Sequence, residues 1–118
     1  MELTTEQLPD GVEKIALAGR MDSAGTQEID LRFTALTATR AALIVVDLSQ
    51  VSFLASIGIR SLLLSARALS RRGGRMVLAS PQPRVEEVLK VAGIDTLISI
   101  YADVGSACVA LKTASGSR

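Results

Sequence analysis

The side chains that could carry chemistry in these 118 residues are few. Histidine is absent and Cys108 is the single cysteine, so neither a Ser–His–Asp nor a Cys–His triad can be assembled. The same shortage rules out a zinc site of the usual Cys/His kind and any intramolecular disulfide. A Ser–Lys pair is the remaining route to an activated serine. However, Lys14, Lys90 and Lys112 fall in a strand and two helical segments, away from the turn that carries Ser56. Around that serine, Leu54-Ala55-Ser56-Ile57-Gly58 supplies only the second glycine of a Gly-x-Ser-x-Gly elbow. Neither Gly-x-Gly-x-x-Gly nor a Gly-Lys-Ser/Thr loop occurs, so a phosphate-cradling nucleotide loop is not indicated. Asp22 and Asp47 each close an apolar stretch and could pair as metal ligands or as acid and base. The plainer reading is that Asp47 accepts backbone donors after its strand and Asp22 caps or orients a turn. A small hydrolase using Ser56 and an acidic partner therefore has little support.

Composition narrows the class further. Apolar residues make up 48% of the chain and the formal net charge is +1, which provides a core and excludes a charge-rich disordered segment. The length suits one domain and leaves no room for two. Phe33, Phe53 and Tyr101 are the only aromatics, too few for base-stacking platforms, and the charge balance does not favour nucleic acid. Arg71, Arg72 and Arg75 gather around Gly73 and Gly74, a pattern that reads as a helix end where cations complement the dipole and glycine stops the helix. No apolar run reaches membrane-spanning length and no leader pattern opens the chain. The expectation is a cytoplasmic protein that needs no cofactor or metal and does not insert into a membrane.

The order of elements follows from periodicity. Glu2 to Leu8 and Val12 to Ala18 read as two strands around the turn formers Pro9, Asp10 and Gly11. Ile29, Phe33 and Leu36 mark a helix after Ser23 that ends in the polar stretch Thr37 to Arg40. Ala42 to Leu48 is a continuous apolar run, suited to a central strand buried on both faces. Ile59, Leu62, Leu63 and Ala66 then form the buried stripe of a helix over residues 57–71. Its outward stripe is Arg60, Leu64, Arg67 and Arg71. Met76 to Ala79 is a strand, and Pro83 opens a helix with buried Val85, Val88, Leu89 and Ala92, stopped by Gly93. Leu97 to Tyr101 is expected as the last strand. Asp103 caps a final helix whose stripe, Val104, Ala107, Cys108 and Leu111, makes Cys108 a packing residue. The pattern predicts a single α/β domain over residues 1–112, with a mostly parallel sheet of about five strands and about four helices. Residues 113–118 form a polar tail. Function in such sheets gathers beyond the carboxyl ends of the strands, here the turns Gly19 to Ser23, Ser49 to Gly58 and Ser80 to Pro83. Ser49 and Ser52 are expected in the loop before the helix.

Two of those turns carry a resemblance. Leu17-Ala18-Gly19-Arg20-Met21-Asp22, followed by Val45-Val46-Asp47-Leu48-Ser49-Gln50-Val51-Ser52-Phe53-Leu54-Ala55-Ser56-Ile57-Gly58-Ile59, is similar to the STAS domains of the anti-sigma factor antagonist family. The match extends over nearly the whole chain in element order and length. It implies that Ser56 occupies the position phosphorylated by a dedicated serine kinase, that Asp22 is the acidic residue beside it, and that Gly58 is the motif glycine. Ala55 and Ile57 depart from the family's Asp-Ser-Ser-Gly, which carries an acid before the switch serine and a hydroxyl after it. The resemblance further implies an anti-sigma factor or related serine kinase as partner and a serine phosphatase that resets Ser56. Asp22, Ser56, Ile57, Gly58, Arg60 and Leu64 then form the expected partner surface. The alternative is a STAS subunit of a transporter or signalling assembly that is never phosphorylated. Independently of the resemblance, a serine at a helix start is a suitable phosphate position, because free backbone N–H groups and the positive dipole end lie there. The same position also suits a simple N-cap.

Overall fold

The computed structural model describes residues 1–38 and 41–116; Thr39, Arg40, Ser117 and Arg118, which belong to the expected helix end and tail, lie outside the described residues. The chain opens with β1 (Glu2–Gln7), antiparallel to β2 (Val12–Met21) in the register Leu3↔Leu17. Asp10 and Gly11 make the reversal with φ of 64° and 77°, the left-handed region that Pro9-Asp10-Gly11 was expected to supply. Then α1 (Ser23–Ala38), β3 (Leu43–Leu54), α2 (Ser56–Arg71), β4 (Arg75–Ala79), α3 (Pro83–Val91), β5 (Ile100–Tyr101) and α4 (Val104–Gly116) follow. The sheet order is β1-β2-β3-β4-β5, parallel from β2 to β5.

Alternation along the strands sends side chains to two faces. On one, Ile15, Leu17, Ile44, Val46, Leu48 and Leu78 pack with Ile29 and Phe33 of α1, Leu62 and Leu69 of α2, and Val85 and Leu89 of α3. On the other, Val12, Val45, Val77 and Ala79 meet Ala107 and Leu111 of α4. The apolar run in β3 is thus covered on both faces, as its sequence requires. Gly73 and Gly93, with φ of 83° and 76°, end α2 and α3.

Several expectations are corrected. β3 runs to Leu54, not Leu48, because the ten-residue β2 gives it a partner as far as Met21↔Leu54. Ser49 and Ser52 therefore lie in the strand and not in a loop. β5 is shorter than expected: the amides of Leu97 and Ile98 both donate to the Ile94 carbonyl at 2.8 Å, closing a helical turn where extended chain was expected. The buried line of α2 is Gly58, Leu62, Ser65 and Leu69, with Ile59, Leu63 and Ala66 only partly buried on its flank. Val88 and Ala92 are exposed, so α3 buries only Val85 and Leu89. Cys108 is half-buried at the edge of the α4 packing. Helix α4 continues through Thr113 into the stretch read as tail.

Candidate functional site

Two turns meet where β2 and β3 end. Met21 pairs with Leu54, and the Ala55 amide donates to the Met21 carbonyl at 3.0 Å, which fixes the start of α2 beside the start of α1. Gly58 makes that approach possible. A Cβ there would stand 2.7 Å from Met21 Cγ and 2.9 Å from Leu54 Cδ1. Gly58 is accordingly buried against β2 and acts as a spacer, leaving Ser56, Ile57 and Arg60 exposed at the helix start.

Ala55 has the extended conformation of an N-cap (φ −95°, ψ 168°) but no side chain to cap with. Ser56 is consequently the first residue of α2 and not its cap. Asp22 does the opposite job for α1: its Oδ1 accepts the Gly25 amide at 2.8 Å. That bond, reinforced by Arg20 whose Nε is 3.5 Å from Oδ2, holds the Asp22 carboxyl below its ordinary pKa against a smaller opposing effect of desolvation. Asp22 is thus ionised and already engaged at neutral pH, while standing one residue beyond the strand pair that leads to Ser56.

Asp47 belongs elsewhere. It sits in mid-β3 opposite Ala16, accepts the Ser49 amide at 2.9 Å and lies 3.8 Å from Lys14 Nζ. Asp22 lies six positions beyond Ala16, roughly 20 Å along the strand direction, so the two aspartates cannot form one metal or acid–base site. No cluster of three acidic, histidine or cysteine ligands forms among the described residues. Each lysine lies against a carboxylate, Lys14 at Glu6 and Asp47, Lys90 at Glu86 and Lys112 at Asp10, which does not suit the free base of a Ser–Lys pair.

The structure also brings in residues that sequence reasoning missed. Arg20 lies over the Phe53 ring, 4.3 Å from its centroid, and Phe53 is exposed beside it. Arg84 and Val88 of α3 come alongside Ser56, positioned by Gln82, whose Nε2 donates to the Ser49 carbonyl at 2.9 Å. The turn Ser80 to Pro83 was the available signal for this neighbour. Farther along α2, Leu64 is 53% exposed, in keeping with its outward placement.

A family model described as the STAS domain matches residues 6–107. The chain belongs to the STAS domain family. A curated STAS relative from Bordetella bronchiseptica, named "Putative anti-sigma factor antagonist BtrV", is 29% identical over 114 residues, which is 97% of each chain. Among solved structures, an anti-sigma factor antagonist from Mycobacterium paratuberculosis superposes with a TM-score of 0.81 at 24% identity, covering 94% of this chain and 95% of the other. The anti-sigma factor antagonist SpoIIAA in its unphosphorylated form gives a TM-score of 0.77 at 22% identity, covering 95% and 97%. These superpositions show that the fold is shared. No helix among the described residues is long and apolar enough to cross a membrane.

Proposed function

We propose that this STAS protein is a cytoplasmic, non-catalytic binding switch of the anti-sigma factor antagonist type, with Ser56 as its phosphorylated residue. The observation that carries the reading is the uncapped start of α2: an exposed serine at the first helical position, beside amides that no side chain among the described residues caps. An anti-sigma factor or related serine kinase binds the unmodified surface around Asp22, Ser56, Ile57, Arg60 and Leu64. Phosphorylation adds about −1.5 to −2 charges at its centre. The helix N-terminus offsets about 0.3–2 kcal/mol of that charge in the free and the bound protein alike, so it cannot restore the complex. A serine phosphatase returns the protein to its binding form.

The test combines mass and affinity. Incubation with the partner kinase and ATP should add one phosphate to the wild-type chain and none to Ser56→Ala. Calorimetric titration should give wild-type affinity for Ser56→Ala and a loss of tenfold or more, about 1.4 kcal/mol, for Ser56→Asp. Equal affinities for the two variants would refute the switch. A second reading, a STAS subunit that is never phosphorylated, is favoured by Ala55 and Ile57, which leave the serine without the acid before it and the hydroxyl after it. Binding without phosphate incorporation into the wild-type chain would select that reading.

A further inference from the structure

Charge is unevenly placed in this nearly neutral chain. Between Asp47 and Glu86 stand six arginines, Arg60, Arg67, Arg71, Arg72, Arg75 and Arg84, and no acidic residue. Of these six, Arg84 alone lines two depressions that meet beside the start of α2. One, about 560 Å³, is lined by Ser56, Ile59, Arg84, Glu87, Val88 and Val91 among others. The other, about 320 Å³, is lined by Arg20, Phe53, Leu54, Arg84, Val85 and Val88 among others. They share Arg84 and Val88, so they form one groove that runs from the end of β3, past the start of α2, along α3. Its apolar side chains are left open to solvent: Phe53 is 39%, Val88 38% and Val91 84% exposed. Arg20 is already held by Asp22, whereas Arg84 makes no ion pair or hydrogen bond among the described residues. Glu87 is the one carboxylate on the groove walls.

An exposed apolar groove beside an unpaired arginine fits a complementary surface: an apolar side chain for the floor and carboxylates for the cations. We propose that this groove docks a protein segment that presents carboxylates around an apolar side chain, and that phosphate on Ser56 displaces it by taking Arg84 from those carboxylates. The displacement rests on the phosphorylation of Ser56 proposed above; the docking does not. A protein segment is favoured over an anionic membrane because the surface is concave and walled by α2 and α3, a shape that a loop or helix edge enters and a flat bilayer does not. The partner surface thereby extends onto α3, beyond the residues expected from the sequence, and phosphate acts as a competitor within the chain as well as a repulsive charge.

Two synthetic helical peptides with the same leucine face, one flanked by glutamates and the other by lysines, test this against the full chain by amide chemical-shift titration. The glutamate peptide should shift Phe53, Ser56, Arg84, Val88 and Val91, and its affinity should fall as salt is raised. Arg84→Glu should weaken it on the order of tenfold or more. Lys112→Glu on α4, which changes net charge equally, should leave it unchanged. Equal binding of both peptides, shifts outside the groove, or no binding would overturn the proposal, as would binding to phosphatidylserine vesicles in place of the peptide. Phosphoserine placed at position 56 during translation, with no kinase involved, should suppress the glutamate peptide's binding. If the peptide binds that form as well as wild type, the docking groove stands and the switch at Ser56 fails.

Discussion

The starts of α1 and α2 lie side by side, follow neighbouring parallel strands, and differ in one carboxylate. At α1, Asp22 accepts the Gly25 amide and closes the first turn; Asp103 does the same for α4, accepting the Ser106 amide at 2.6 Å. At α2 the corresponding residue is Ala55, and among the described residues the first turn has no side-chain acceptor. A closed start holds a turn in place. An open one leaves donors and a positive dipole end available to an added anion. The same local geometry thus closes one helix start and leaves its neighbour open, and the deciding feature is the presence or absence of a single side-chain oxygen.

The comparison can be broken most severely through its glycines. In Gly25→Ala the new Cβ would run into the Arg20 carbonyl oxygen, whereas in Gly58→Ala it first meets the side chains of Met21 and Leu54 at 2.7 and 2.9 Å, with the Met21 carbonyl oxygen farther off at 3.1 Å. Gly25→Ala should cost about 3 kcal/mol and Gly58→Ala closer to about 1–2 kcal/mol, measured by denaturant unfolding. If Gly58→Ala proves the more damaging, the spacing of the two helix starts is misassigned. Giving α2 the missing cap should sharpen the contrast: Ala55→Asp is expected to stabilise the fold by about 0.5–2 kcal/mol. The gain should appear as a raised midpoint in denaturant unfolding; an unchanged midpoint would mean that the first turn of α2 is not improved by a side-chain acceptor.

A smaller effect separates the starts by pH. The folded Asp22 carboxyl ionises at lower pH than its unfolded counterpart, near the ordinary value of ~4. Its ionised, capping form therefore adds stability above that value, and the contribution is lost as pH falls through the folded pKa. Asp22→Asn keeps a capping oxygen but cannot titrate. Its unfolding midpoint should fall less than that of wild type on acidification below pH ~4, with the residual loss carried in part by Asp103, whose carboxyl is lowered by its bonds to Ser106. Identical acid profiles would remove Asp22 from the argument. The smallest change is expected for Ser56→Ala, which takes away an exposed hydroxyl that caps nothing and should alter stability by less than about 0.5 kcal/mol. A larger loss would mean that the hydroxyl supports the helix.

Periodicity and turn chemistry determined much of this protein without coordinates. The doubly covered β3 run at Ile44, Val45 and Val46, the helix beginning at Ser56, the cap at Asp103 and the glycine stops at Gly73 and Gly93 are local properties, set by residues within a few positions of one another. The motif around Ser56 was legible for the same reason; the adjacency of its turn to Asp22 was implied by the family resemblance, since it depends on β2 and β3 being neighbours. Other features depend on partners distant in sequence. The length of β3 was decided by how far β2 extends. The loss of strand at Leu97 and Ile98 is by contrast local, set by the Ile94 carbonyl that accepts both amides. Tertiary packing also turned Val88 from an expected core position into a groove wall. Arg84 gave no signal of its own as a neighbour of Ser56, because their proximity arises only when β4 places α3 against the end of β3. Sequence fixes what each segment can become within a turn or two; which chemical groups face one another across the groove is decided by the sheet order that brings them together.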